Sequence, residues 1–189
     1  AVTRRALPCG LQVIATRRDL SKPSPEADEL GVEMVELDDL LTRADFVSLH
    51  LPLSAGTRGL LNRQRLALMK RGAYLINASR GDIVDEQALA EMLHSGHLGG
   101  AGLDTFGVIE IFGETEGPPT HPVVTAESVI ATPHVSALSV DSSRIVATGS
   151  VQNLVCVLNG HMPPPDQIVN RDVVPRSPLK PYDPALLEE

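Results

Sequence analysis

Residues Gly72 to Asp104 read GAYLINASRGDIVDEQALAEMLHSGHLGGAGLD. The apolar run Ala73 to Ile76 has the length and content of a strand, and it stops at Asn77, Ala78, Ser79, Arg80 and Gly81. Asp85 can cap a helix running to about His94, with Gly96 as its stop. A glycine-rich strand, Leu98 to Leu103, then ends at Asp104. In an open α/β sheet, ligands lie at the carboxyl ends of the strands. Arg80 and Asp104 both stand at such ends.

The same pattern extends outward. Upstream, Ala1 to Leu7 reads as a helix end stopped by Cys9-Gly10. Leu11 to Thr16 is a strand that ends in Arg17-Arg18-Asp19, and Ser21 to Pro25 is a loop. Val32 to Val35 is a weak strand, and Asp38 to Ala44 a short helix with an acidic first turn. Phe46 to Leu49 is a strand ending at His50-Leu51-Pro52, and Asn62 caps a helix to about Lys70. Downstream, Val129 to Thr132 is a strand before Pro133-His134, and Ser139 to Asn159 is a longer helix. Ile145, Val151, Leu154, Val155 and Leu158 share one face of that helix, and Gly160 ends it. Pro163 to Pro165 follow, and the Pro-rich tail from Arg171 to Glu189 is expected to be extended or disordered. Short strands alternating with helices predict βαβ units, hence an α/β fold with a Rossmann-like doubly wound parallel sheet.

Composition limits the function classes. The 189 residues suffice for one domain, or one domain and part of another. With 3% aromatics and no Trp, the core must be built from Ala, Val, Leu and Ile, the usual stock of a buried parallel sheet. A net charge of -8 argues against a nucleic-acid partner, because phosphate binding needs a basic surface. No apolar run is long enough to span a bilayer. Cys9 and Cys156 match no metal or redox spacing and read as reduced thiols of a cytoplasmic protein. The first residues do not read as a signal peptide, since the apolar stretch after Arg4-Arg5 is too short.

Four segments, taken in order, resemble one family. They are HLPL (His50 to Leu53, with Thr57 and Leu60-Leu61 after it), NASRGDIVDEQAL (Asn77 to Leu89), GGAGLDTF (Gly99 to Phe106) and HPVVTAESVIATPH (His121 to His134). From Ala1 to about Asn170 the chain resembles the nucleotide-binding half of the D-isomer-specific 2-hydroxyacid dehydrogenases, which include glyoxylate/hydroxypyruvate reductases, D-lactate dehydrogenases and phosphoglycerate dehydrogenases. The resemblance implies roles. Arg80 would bind the carboxylate and carbonyl oxygen of a 2-keto acid, as a guanidinium fork suits. His134 would be general acid in reduction and general base in the reverse direction, since imidazole exchanges a proton near neutral pH. Asp104 would accept from the nicotinamide carboxamide. Asn77, Ala78 and Ser79 would line the nicotinamide site, and His50 and Pro52 the adenosine side. A homodimer is implied for the parent enzyme.

Three departures from the family pattern shape the expectations. First, a strand and a glycine-rich GxGxxG turn that cradles the pyrophosphate would precede Ala1, as would a substrate-binding segment. The sheet is therefore expected to be incomplete, and the chain to be an N-terminally truncated part of a two-domain enzyme. Residues 1–138 would be the partial NAD(P)-binding domain, and 139–160 a helix that packs on the substrate domain. Such a chain alone should bind dinucleotide weakly. Second, the carboxylate that orients His134 would fall at position 109, which is Ile109. Glu110 fits with a one-residue slip and is preferred, while Glu116 fits counting back from His121-Pro122. Third, NAD-preferring members end the second strand with an acidic residue. Thr16-Arg17-Arg18 stands there instead, and two guanidinium groups suit a 2′-phosphate. The cofactor is expected to be NADP or NAD, with NADPH preferred. The leading function is an NAD(P)-dependent oxidoreductase for a small 2-keto acid such as glyoxylate or hydroxypyruvate. The alternative is a non-catalytic dinucleotide-sensing module or an inactive truncated product, to which the displaced Glu and the missing phosphate turn would be suited.

Overall fold

In the computed structural model, which describes residues 1–107, 121–135, 138–170, 172 and 174–187, the strand before Arg80 lies inside a four-stranded parallel sheet. The chain enters through α1 (Val2–Ala6) and a 3-10 turn (Leu7–Cys9). It leaves that turn at Gly10, whose φ of 79° is left-handed backbone that glycine adopts without penalty. β1 (Ile14–Ala15), α2 (Pro25–Glu29), β2 (Glu33–Met34) and α3 (Leu37–Arg43) follow. β1 and β2 pair in parallel as a small sheet of their own. Next come β3 (Phe46–Leu49), α4 (Arg63–Leu68), β4 (Tyr74–Asn77), α5 (Glu86–His94), β5 (Gly100–Leu103), α6 (Pro122–Thr125) and β6 (Val129–Ala131).

These strands form the second sheet in the order β3-β4-β5-β6, all parallel. Leu49, Asn77, Leu103 and Ala131 are opposite one another in consecutive pairs, so the four carboxyl ends lie in one row. Helices lie between successive strands, as parallel connections require. α3 packs on α4, α4 on α5 and α5 on α6. Leu66, Leu75, Ile83 and Leu89 are fully buried between helices and sheet. On β3 the side chains alternate: Val47 and Leu49 are buried, Phe46 and Ser48 exposed. Phe46 stacks on Tyr74 with ring centroids 5.4 Å apart. The glycines of β5 have a reason: a Cβ on Gly100 would come within 2.9 Å of the Tyr74 ring and 2.8 Å of the Ser128 carbonyl.

The α/β reading with parallel strands therefore holds, with the strands divided between two sheets. The predicted caps are present: Asn62 accepts from the Arg65 N–H and Asp85 from the Ala88 N–H. β1 and β2 are shorter than the apolar runs that predict them. No element is expected from the sequence at residues 26–29 of α2 or at α6, helices of five and four residues. Such lengths are too short to show helical periodicity, and each carries Pro in its first turn. No helix among the described residues is long and apolar enough to cross a membrane.

The chain divides into two compact units, Ala1–His134 and Val135–Glu189. The second holds α7 (Val140–Leu158), capped by Ser139 and stopped at Gly160 with a φ of 78°. Cys156 is its buried residue, while Ile145 and Leu158 are 71% and 76% exposed, so most of the apolar face meets solvent. The tail is tied back to the helix end: the Lys180 N–H donates to the Gly160 carbonyl, and the Met162 N–H to the Lys180 carbonyl, both at 2.8 Å. A 3-10 turn (Pro184–Leu187) then lines a groove with Val151 and Val155 of α7.

Leu75 sits at 0% exposure in an inner strand of the larger sheet. Leu75→Ala should lower unfolding free energy by about 2–5 kcal/mol, the cost of a cavity that neighbours only partly refill. Urea titration followed by circular dichroism measures it.

Candidate active site

The site begins at the last residue of β4. Asn77 is 1% exposed, and its side chain is engaged at both ends. Its Oδ1 accepts from the Ser79 N–H at 3.0 Å and from the Ser79 hydroxyl at 2.8 Å. Its Nδ2 donates to the Arg80 carbonyl at 2.9 Å. The backbone carbonyl of Asn77 accepts from the Asp104 N–H at 3.0 Å. One buried amide thus fixes the turn that presents Arg80 and joins it to the start of the loop after β5. Arg80 itself is exposed, and its guanidinium donates to the Ser79 carbonyl at 2.6 Å. Ala78 is exposed and Ser79 half-buried beside it.

Asp104 follows β5 and is 6% exposed. The Thr132 hydroxyl donates to its Oδ1 at 2.6 Å. Thr132 also gives its N–H to the Leu103 carbonyl at 2.9 Å, and its own carbonyl accepts from the His134 N–H at 3.0 Å. His134 is half-buried with a φ of 56°, a positive value for a residue other than glycine. Left-handed backbone costs an L-residue on the order of 1–2 kcal/mol. Such strain persists where the surroundings determine the conformation, and it gathers at functional sites.

The loops after β4 and β5 also interlock. A Cβ on Gly81 would overlap the backbone of Phe106 and Gly107, and one on Gly107 would overlap the Asp82 carboxylate. Glu86, 5% exposed, accepts from the Gly107 N–H at 2.8 Å. Asp82 pairs with Arg58, and its carbonyl accepts from the Gly59 N–H at 2.8 Å. The chain that leaves Asp104 is therefore pinned to the chain that carries Arg80.

The loop after β3 supplies a further side. His50 is exposed, with its Nε2 2.9 Å from the Ser48 hydroxyl. The Pro52 carbonyl accepts from the Thr57 hydroxyl at 2.7 Å, and the Ser54 N–H donates to that same hydroxyl oxygen at 2.8 Å. The loop is thereby closed around Gly56. Arg18 approaches from β1, its Nη2 4.0 Å from where a Gly56 Cβ would stand. The Nε of neighbouring Arg17 is buried with no hydrogen-bond partner among the described residues. Asp19 is occupied locally: hydrogen bonds from Ser21, the hydroxyl first and then the N–H, hold its carboxyl below the ordinary aspartate range.

The row of strand ends thus gathers His50 and Pro52, the segment Asn77 to Arg80, Asp104 and His134 along one edge of the larger sheet. Arg17 and Arg18 follow β1 of the small sheet, and Arg18 reaches the loop after β3 at Gly56. Glu110 and Glu116 lie outside the described residues. Among those described, no cluster of His, Cys, Asp or Glu could hold a metal ion. Sequence reasoning missed Glu86 and Thr132. Glu86 stands inside the DIVDEQAL motif, but only its contact with Gly107 shows what it does. Thr132 directly precedes Pro133-His134, and that position was the available signal.

The chain belongs to the D-isomer specific 2-hydroxyacid dehydrogenase family, and residues 1–136 match the model of its NAD binding domain. It is 38% identical over 150 residues to the glyoxylate reductase of Thermofilum pendens, an alignment that covers 79% of this chain and 42% of that protein. It is 39% identical over 157 residues to the hydroxypyruvate reductase of Thermotoga maritima, covering 81% of this chain and 47% of the relative. The NAD-complexed D-isomer specific 2-hydroxyacid dehydrogenase of Lactobacillus delbrueckii ssp. bulgaricus superposes with a TM-score of 0.77 at 30% identity, over 89% of this chain and 52% of that one. The chain thus spans less than half the length of these two curated relatives.

Asn77→Asp keeps the acceptor for Ser79 but turns the donor to the Arg80 carbonyl into a buried acceptor. Leaving that carbonyl unsatisfied costs about 1–3 kcal/mol. The melting temperature should fall by about 2–4 °C for each kcal/mol in a chain of this size, and differential scanning calorimetry reads it.

Proposed function

We propose that the protein carrying this chain is an NAD(P)-dependent oxidoreductase that reduces a small 2-keto acid, such as glyoxylate or hydroxypyruvate, to the 2-hydroxy acid. The observation that carries the reading is that Arg80, Asp104 and His134 stand on the loops after three adjacent parallel strands, β4, β5 and β6. In this reading the dinucleotide supplies the hydride when bound. Arg80 holds the substrate carboxylate and draws on the carbonyl oxygen through its planar fork. His134 gives a proton to that oxygen as the carbonyl carbon is reduced, and takes it back in the oxidation. Asp104 accepts from the carboxamide of the nicotinamide, and Ala78 and Ser79 line the same side. Glu110, in preference to Glu116, orients His134 through its second ring nitrogen.

The residues fit a dinucleotide. Asp104 is a buried carboxylate, an acceptor suited to an amide donor at the nicotinamide end, and Arg17 Nε is a buried donor with no hydrogen-bond partner among the described residues. Arg17 and Arg18 together favour a 2′-phosphate, and Asp19 is drawn away toward Ser21. NADPH is therefore the preferred cofactor. His50 and Pro52 flank the adenosine, and the exposed apolar face of α7 packs on a substrate-binding part of the whole protein, which acts as a homodimer.

Two measurements on the full-length protein test this. Arg80→Lys removes one arm of a two-armed contact to a carboxylate, so kcat/KM for glyoxylate should fall about tenfold to a hundredfold. Turnover of no 2-keto acid by the wild type, alongside tight dinucleotide binding, would replace the enzyme by a dinucleotide-sensing module. Steady-state kcat/KM should be higher with NADPH than with NADH, and a clear preference for NADH rejects the role given to Arg17 and Arg18.

A further inference from the structure

We propose that Thr132 is a positioning residue: its hydroxyl fixes the plane of the Asp104 carboxylate for recognition of the nicotinamide carboxamide, and its backbone ties that carboxylate to His134. The inference rests on the reading of Asp104 as the carboxamide acceptor. Three bonds meet at Thr132: its N–H to the Leu103 carbonyl at 2.9 Å, its hydroxyl to Asp104 Oδ1 at 2.6 Å, and its carbonyl from the His134 N–H at 3.0 Å.

Each bond does something different. The N–H bond extends the pairing of β5 with β6, and any residue other than Pro makes it. The carbonyl bond closes the turn over Pro133, which has no N–H of its own, and helps hold His134 at its positive φ. The hydroxyl bond belongs to the side chain alone. A hydroxyl has one proton, and here it is committed to a buried carboxylate, at a length typical of strong O–H···O⁻ bonds. A carboxylate whose Oδ1 accepts from a fixed hydroxyl cannot swing freely about its terminal torsion. The direction in which it accepts from a ligand amide is then set before the ligand arrives, which lowers the cost of ordering on binding.

Loss of the hydroxyl therefore touches Asp104 and leaves the two backbone bonds in place. Thr132→Val retains the branched shape without the donor. In the full-length protein, calorimetric titration would compare each cofactor with its nicotinamide-free counterpart, ADP-ribose for NADH and 2′-phospho-ADP-ribose for NADPH. Thr132→Val should weaken cofactor binding by about tenfold, the scale of one hydrogen bond to a charged group, and leave binding of the counterpart unchanged. Thr132→Ser, which restores the donor, should recover most of the loss, and Thr132→Ala should behave as Thr132→Val does. Equal loss of both ligands, or wild-type binding of both, would overturn the proposal. Asp104→Asn separates the two layers. If it too leaves the cofactor-to-counterpart ratio at the wild-type value, the reading of Asp104 falls and this inference with it. If it lowers the ratio while Thr132→Val does not, only the role of Thr132 falls.

Discussion

Everything at the candidate site depends on the end of β4, where a buried asparagine closes the strand. Asn77 is paired in register with Leu49 on one side and Leu103 on the other. Parallel pairing makes all four strands stop at one edge, so the residue after each strand is delivered to the same place whatever its sequence distance. Asn77 adds what pairing cannot. Its side-chain amide folds the next three residues back on themselves, and its carbonyl reaches the Asp104 N–H. An apolar residue at this position would leave the Ser79 N–H and the Arg80 carbonyl to find water or strain, at the cost that attends unpaired buried polar groups.

The exposed side chains that the proposed chemistry needs are thus carried on backbone that is almost wholly committed. Arg80 reaches solvent, but its carbonyl is held by Asn77, and the next residue, Gly81, has Phe106 and Gly107 against it. His134 is held through Thr132 to β5. Glu86 explains why an acidic residue is tolerated in a buried first turn: its carboxylate receives the Gly107 N–H, and the helix N-terminus beside it is electropositive. The positive φ of His134 is sustained by the same network, since a strained residue stays in place only where its neighbours leave no cheaper arrangement.

Much of this was legible in the sequence because it follows from local rules. The strand at Phe46–Leu49 is found at the residues expected, and those at 74–77 and 129–131 lie within one residue of the apolar runs that announce them. Asn62, Asp85 and Ser139 cap the helices they precede, because a side-chain oxygen one step before a helix meets an orphan N–H wherever the chain folds. What escaped depends on tertiary contact. α2 and α6 are shorter than two turns, so packing and not periodicity forms them. The Glu86–Gly107 and Thr132–Asp104 bonds join residues 21 and 28 positions apart, and no spacing rule predicts such pairs. The division of the strands between two sheets is likewise a property of which edges meet.

That division bears on how the proposed functions are distributed. In the proposed reading, the residues that handle the carbonyl and the nicotinamide all follow strands of the larger sheet, locked together by Asn77, Thr132, Glu86 and the two facing glycines. The residues that would choose between cofactors, Arg17 and Arg18, follow β1 in the small sheet. Arg18 approaches the loop after β3 at Gly56, its Nη2 4.0 Å from where a Cβ there would stand. In that reading a change at Arg17 or Arg18 would alter which dinucleotide is held, while the hydrogen bonds that set the turn before Arg80 and hold Asp104 are made by Asn77, Ser79 and Thr132. A change at Asn77 or Thr132 alters those bonds whichever cofactor is bound. In the proposed reading, the two sheets separate the choice of cofactor from the geometry of hydride and proton transfer.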